Sequence, residues 1–244
     1  MTDDLDRRAF GTVLAATAAA ALLHDRDADA QARRPASPAP VTLNAAPAEK
    51  AIVPLPFAPT SLAGLSERLL TSHHDNNYAG AVRKLNEVRQ QLASADPAQG
   101  GPYWSLYGSL RAAELPARNS ALLHELYFAN LAAGTQPPAA LGTLVAQRFG
   151  SMDRFRAQML GAAKSSNGWV ALVADPTSRT LEIVTTEGHA LGSWEAAPLL
   201  VLDVFEHAFA IDYGANKGGY FDAFWNNVNW TEVHSRATRA IARL

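Results

Sequence analysis

Between residues 65 and 93 apolar side chains return at every third or fourth position: Leu65, Leu69, Leu70, Ala81, Leu85, Val88 and Leu92, with His73 and Asn77 on the same stripe. That spacing predicts one long amphipathic helix. A second helix is expected over 120–132, where Asn119 or Ser120 can cap the start and Gly134 followed by Pro137-Pro138 stops it. Two helices and a connecting loop predict an antiparallel hairpin. Past the proline pair come two short helices, 140–149 and 152–164, with Gly150-Ser151 between them. The period then shortens. Residues 169–173 and 181–184 read as strands flanking the turn Asp175-Pro176-Thr177-Ser178, and 199–202 is a third apolar run. Helical segments follow from about residue 204. The expected fold class is α+β: an N-terminal antiparallel helical hairpin (60–136), then an α/β domain with a three-stranded antiparallel sheet (137–244).

The front of the chain has a different character. Arg7-Arg8 precedes Phe10, an uncharged alanine-rich run covers 9–23, and Ala28-Asp29-Ala30 and Ala30-Gln31-Ala32 offer small-x-small cleavage sites. The run is shorter than the roughly 20 residues a bilayer core requires, so no stable membrane span is expected. The order of features reads as a signal peptide over 1–32 and resembles the bacterial twin-arginine leader, which implies export to a periplasmic or extracellular space. Residues 33–59 hold Pro35, Pro38, Pro40, Pro47, Pro54, Pro56 and Pro59 and read as an irregular linker, placing the start of the folded body near Thr60.

Composition removes several alternatives. At 48% hydrophobic and 18% charged the chain is neither disordered, collagen-like nor coiled coil. A net charge of −2 gives no electrostatic footprint for nucleic acid. The absence of cysteine excludes disulfides, zinc ribbons, iron–sulfur clusters and thiol nucleophiles.

The candidate chemistry lies in Asp203-Val204-Phe205-Glu206-His207-Ala208 and the following Ile211-Asp212-Tyr213. Asp203 and His207, four apart, can share one side of a strand-to-helix junction. A carboxylate with an imidazole suits a metal of intermediate hardness such as iron or manganese, but the same pair also fits a capping aspartate beside a packed histidine. Two further histidines change the balance. His73 lies on the first apolar stripe and His124 sits within Leu122-Leu123-His124-Glu125-Leu126-Tyr127-Phe128. Several buried imidazoles without partners are costly, and one shared ion removes that cost.

At these residues the chain resembles the iron/manganese superoxide dismutase family, over roughly residues 65–244. The resemblance rests on Asp203, Glu206, His207 and Ala208 through Asp212-Tyr213, then Tyr220, Phe224-Trp225, Asn229-Trp230 and, before the first strand, Gly168-Trp169. It implies a hairpin plus α/β fold, one iron or manganese ion per subunit held by His73, His124, Asp203 and His207, and a fifth ligand that is water or hydroxide. The implied reaction converts superoxide, a small-molecule substrate, to dioxygen and hydrogen peroxide as the ion cycles between +3 and +2. Glu206 matches a residue that reaches a ligand histidine of the partner subunit, which implies a homodimer.

The departures from the family pattern cluster at the substrate gateway. A histidine and a tyrosine of the first helix are Asn77 and Ala81 here, and a tyrosine three residues past the last ligand is Ala210. On regular helical geometry Tyr78 falls about 140° from His73 and cannot simply replace the missing phenol. His74 reads as packed or half-exposed. The family's outer glutamine has Ser120 in one of its two possible places and His189 in the other, and an imidazole can hydrogen-bond bound solvent as an amide does. Among the aromatic positions Trp169 is retained, with Ala171 and Phe205 where the family has tryptophan. Two functions are therefore expected to compete. One is a dismutase with an altered gateway; the other is a metal-binding or scaffold protein on the same fold with little or no dismutase activity.

Overall fold

A computed structural model describes residues 47–242. The first predicted helix is present as an unbroken run in three parts: α1 (Glu67–Ser72), a π-helical stretch (His73–Tyr78) and α2 (Ala79–Ser94). Ser66 caps it, its hydroxyl accepting from the Leu69 amide at 3.0 Å. The stripe read from the sequence is the buried face, with Leu69, Leu70, Val82, Leu85 and Val88 all inside.

The second helix, α3, runs Leu106–Ala129 and so starts well before the predicted Ser120. Its first half buries only Leu110 and Ala117, which leaves little periodic signal, and Pro116 lies within it. Ser105 is the actual cap, accepting from the Gly108 amide at 3.1 Å. Contacts between the first helical run and α3 pair late positions with early ones, Arg89 with Glu114 and His73 with Tyr127, so the hairpin is antiparallel.

Helices α4 (Ala139–Phe149) and α5 (Met152–Ser165) follow, then strands β1 (Trp169–Asp175), β2 (Thr180–Thr186) and β3 (Ala197–Asp203). The strands form one antiparallel sheet in the order β2-β1-β3. Trp169 opposes Thr186 on one side and Asp203 on the other. Gly168 is needed at the entry to β1, because a Cβ there would overlap the Thr186 carbonyl oxygen. Pro198 sits in the edge strand β3, next to the register shift at Leu172/Val173, where a missing amide is tolerated. The 3₁₀ turn Glu206–Ala208 leads into α6 (Ala210–Tyr213), α7 (Lys217–Asn226) and α8 (Trp230–Ile241). The α+β class holds, with the sheet backed by helices.

Three hydrogen-bonded joints lock these pieces around one point. Asn130, the C-cap of α3, accepts from the Val201 amide at 2.8 Å and so ties the hairpin to β3. Buried Arg236 of α8 donates to Asn130, to the Leu199 carbonyl and to the Leu126 carbonyl. Asp212 of α6 accepts from both the amide and the hydroxyl of Ser66, fastening the segment after His207 to the start of the helix that carries His73.

Residues 47–59, the described end of the segment read as linker, form no helix or strand, yet they are attached to the hairpin. Lys50 exchanges two backbone hydrogen bonds with the Asn86 side chain and pairs with Glu125 at 2.8 Å. The Val53 amide donates to Tyr78 Oη at 2.8 Å. One compact unit thus runs from Glu49 rather than Thr60, and it contains both predicted halves. Proline-rich composition removes helix and strand; it does not prevent side chains of a folded body from binding the extended backbone. The leader read over 1–32 lies outside the described residues. Among those described, no helix is long and apolar enough to cross a membrane.

Candidate metal centre

Asp203 is the last residue of β3 and is fully buried. Its Oδ1 accepts from the Phe205 amide at 2.9 Å, which leaves Oδ2 facing inward. Around Oδ2 stand three imidazole nitrogens: His73 Nε2 at 3.1 Å, His207 Nε2 at 3.1 Å and His124 Nε2 at 3.6 Å. One ligand atom from each of the four residues lies within 4.8 Å of all the others. His73 sits at the junction of α1 with the π-helical stretch, His124 on α3, and His207 in the turn after β3. His73 and His124 are buried, while the His207 side chain is 26% exposed.

The protonation states suit a cation. Burial pushes the Asp203 carboxyl up, but the hydrogen bonds from His207 and His73 outweigh it and hold the group well below the usual carboxylate range. Burial pushes His124 down to about 3 and lowers His73 as well. The centre therefore presents an anionic carboxylate at Asp203 and neutral imidazoles at His73 and His124, the forms that ligate.

Tautomers sharpen the fit. His124 Nδ1 lies 2.7 Å from the Ser120 carbonyl, which can only accept, so Nδ1 carries the proton. Its Nε2 then holds a lone pair turned toward a carboxylate, buried and without a hydrogen-bond partner. Two lone-pair donors facing each other are repulsive in a dry interior, and an ion between them is what the arrangement suits. The donor set fits iron or manganese: three imidazoles and one carboxylate, with no thiolate in the chain.

The comparisons with known proteins decide the family. Residues 137–236 match the C-terminal domain of iron/manganese superoxide dismutases. An iron superoxide dismutase of Cupriavidus metallidurans is 39% identical over 191 residues, covering 77% of this chain and 96% of the relative. The chain belongs to the iron/manganese superoxide dismutase family. A manganese superoxide dismutase of Halobacterium salinarum is 35% identical over 200 residues (80% of this chain, 98% of the relative), and an iron one of Aquifex aeolicus is 32% identical over 189 (75% and 89%). Relatives named for either metal are thus similar across both halves of the fold.

Beyond the four candidate ligand residues, this member of the superoxide dismutase family surrounds its cluster with aromatic rings. His73 packs against Tyr127 and Phe128, each with centroids 5.0 Å away, and Trp169 meets His124 edge-on at 5.1 Å. Phe205 stacks on His207 at 5.4 Å. Tyr220 donates to the Asp203 backbone carbonyl at 2.8 Å and shares a hydrogen bond with Tyr127 at 3.1 Å. The His189 ring lies 6.3 Å from that of His124 and 4.9 Å from Phe205, and burial lowers its pKa.

The sequence-predicted gateway residues do not converge in the same way. Asn77 and Ala81 are half-buried on the first helix, whereas Glu206 and Ala210 are exposed. The 140° offset assigned to Tyr78 is corrected by the structure. His73–Tyr78 is π-helical, with i→i+5 hydrogen bonding, so residues five apart fall on nearly the same face. Tyr78 is therefore buried beside the ligands, its ring 6.3 Å from His124. Its hydroxyl still does not enter the cluster: it donates to Glu125 at 2.7 Å and accepts from Val53. Burial raises the Tyr78 pKa to about 12. His74 binds the Val53 carbonyl and the Asp75 carboxylate rather than turning inward. Sequence reasoning missed the bonding roles of Asn119, Tyr127 and Glu125, whose partners lie 47 to 93 residues away along the chain.

Proposed function

We propose that this protein is a superoxide dismutase with an altered gateway, holding one iron or manganese ion on His73, His124, Asp203 and His207. The convergence of three imidazole nitrogens on one buried carboxylate oxygen supports this reading most directly. When bound, the ion supplies a one-electron couple between +3 and +2, through which two superoxide ions become dioxygen and, with two protons, hydrogen peroxide. The chain's own residues set the environment. Ser120 orients His124, Tyr220 holds the Asp203 backbone, and Phe128, Tyr127 and Trp169 exclude bulk water from the inner side. His189, in place of the family's outer glutamine, supplies a polar edge next to the ligands. Small side chains at Ala81 and Ala210 leave the outer side open to superoxide and to protons from solvent.

Exposed Glu206 supports a homodimer in which it reaches a ligand histidine of the partner subunit. The Arg7-Arg8 leader supports export of the folded, loaded protein to a periplasmic or extracellular space. The second reading, a metal-binding or scaffold protein with little dismutase activity, draws on Asn77, Ala81 and Ala210. One preparation tests both: elemental analysis together with superoxide decay. A stoichiometric ion with decay faster than that of the metal-free protein upholds dismutation. A stoichiometric ion without faster decay favours the scaffold, and a protein that retains neither metal overturns both readings.

A further inference from the structure

The hairpin carries two of the four cluster residues at its open end. Its helices are joined by chain only through residues 95–105, roughly 30 Å along the first helical run from His73 at 1.5 Å per residue. No covalent link fixes the spacing of His73 and His124 where they face each other, and the extended segment 50–53 is bonded to both helices at that place. The residue after each histidine is a point of attachment. His74 Nε2 donates to the Val53 carbonyl at 2.9 Å, and Glu125 pairs with Lys50 Nζ at 2.8 Å.

Tyr78 closes the arrangement. Its hydroxyl donates to Glu125 on α3 and accepts from the Val53 amide, so a single oxygen ties together both helices and the segment. Its ring is wedged between His74 at 5.2 Å, Phe128 at 6.2 Å and His124 at 6.3 Å. On a regular α-helix Tyr78 would point about 140° away from His73. The π-helical stretch removes that offset and delivers the phenol to Glu125. Farther along α2, Asn86 accepts from the Lys50 amide at 2.9 Å and donates to the Lys50 carbonyl at 2.8 Å.

We propose that residues 50–53 are a clamp that sets the distance between His73 and His124 and so governs how long the ion is held, with Tyr78, Lys50 and Asn86 as positioning residues. This rests on the metal-binding part of the reading above and adds to it a segment outside the two halves of the fold. An ion leaves only when a ligand lets go, and spreading the free end of the hairpin is the motion that parts His73 from His124. The bonds to Lys50 and Val53 span that end and oppose the motion. The partly exposed Lys50–Glu125 pair is weak by itself and acts together with the backbone bonds of the same segment.

The test loads the full chain with cobalt(II) and reads two quantities that activity does not enter: the d–d absorption of the bound ion and the rate of its loss to a chelator. In Asn86→Ala, which loosens the segment without altering a neighbour of any ligand, the ion should leave about tenfold faster and the absorption bands should shift. Tyr78→Phe, which removes the bonds to both Glu125 and Val53, should show the largest change of the set. Lys50→Met should move both readouts the same way by less, and Lys50→Arg, which keeps the pair with Glu125, should stay at the wild-type values. Arg148→Ala is the control: it strips bonds to the Leu181 carbonyl and to Glu182 on β2 and should leave both readouts unaltered. Wild-type rate and spectrum in Asn86→Ala overturn the proposal, as does an equal acceleration in Arg148→Ala, which marks general loosening. Should Tyr78→Phe fail to fold, Asn86→Ala and the two Lys50 variants decide. If the variants behave as described while the iron- or manganese-loaded wild type removes superoxide no faster than the metal-free protein, the clamp stands and the dismutase reading alone fails. A wild type that retains no ion overturns both.

Discussion

The inner wall of the centre and its outer rim are built on different terms. On the inner wall, His73, His124 and Asp203 are buried, and their supports come from elements distant in sequence: Ser120, Tyr220, Tyr127 and, behind them, Asn130 and Arg236. On the rim, His207 is partly open, Glu206 and Ala210 face outward, and Asn77 and Ala81 carry no bulky group toward the centre. Ligand geometry is thus over-determined from within and loosely bounded from without. A change inside should move metal binding and folding together, whereas a change at the rim should move turnover or assembly and leave the ion in place.

Asp203→Ala is the most severe case. It removes the single oxygen on which three nitrogens converge, and metal content should fall from about one ion per chain to near none, with activity lower by more than roughly 100-fold. Elemental analysis of the purified variant checks it, and a fully loaded variant would show that the inner wall is not the metal-holding element. Next is Arg236→Leu, which strips the buried donor from Asn130 and the Leu199 and Leu126 carbonyls; we expect a loss of about 3 kcal/mol in denaturant titration. Tyr220→Phe removes one hydrogen bond to the Asp203 carbonyl and should cost about 1–2 kcal/mol with the ion retained, as read by the same titration and by metal analysis.

A smaller effect separates the two regions by pH. Tyr78 is neutral in the folded protein up to about 12, while an unfolded chain ionises its tyrosines near 10. The unfolded state therefore loses this proton first, and the stability contributed by neutral Tyr78 is complete below pH 10 and declines between pH 10 and 12. Tyr78→Phe should flatten that part of the stability profile. At the rim, the pair Asn77→His with Ala210→Tyr should change stability by no more than about 0.5 kcal/mol and leave metal content unaltered. Its effect should appear in the rate of superoxide decay. A loss of metal in that pair would erase the distinction between wall and rim.

Periodicity and turn chemistry sufficed for most of the fold. The 65–93 stripe and the switch to strands at Trp169 are local properties that agree with the final structure, whereas α3 ends at Ala129 with Asn130 as its cap, before the stop expected at Gly134 and Pro137-Pro138. The start of α3 was not legible because a half-exposed helix containing Pro116 carries little apolar period. The attachment of Lys50 and Val53 was hidden for a related reason: composition reports what the backbone cannot form and is silent about which distant side chain will bind it.

The four residues of the candidate metal cluster could be named from residue type and from motifs along the chain, since few side chains suit iron or manganese and the strongest motif spans only Asp203 to Tyr213. Which nitrogen of each histidine is free could not. That depends on a carbonyl at Ser120 for His124 and, just outside the cluster, on the indole of Trp169 for His189, and the two rings end with opposite polarity. The place of Tyr78 depended in turn on a π-helical stretch, for which no residue type is a reliable marker. A hydrogen bond is a directional contact between particular atoms, and only packing the hairpin against the sheet brought those atoms together.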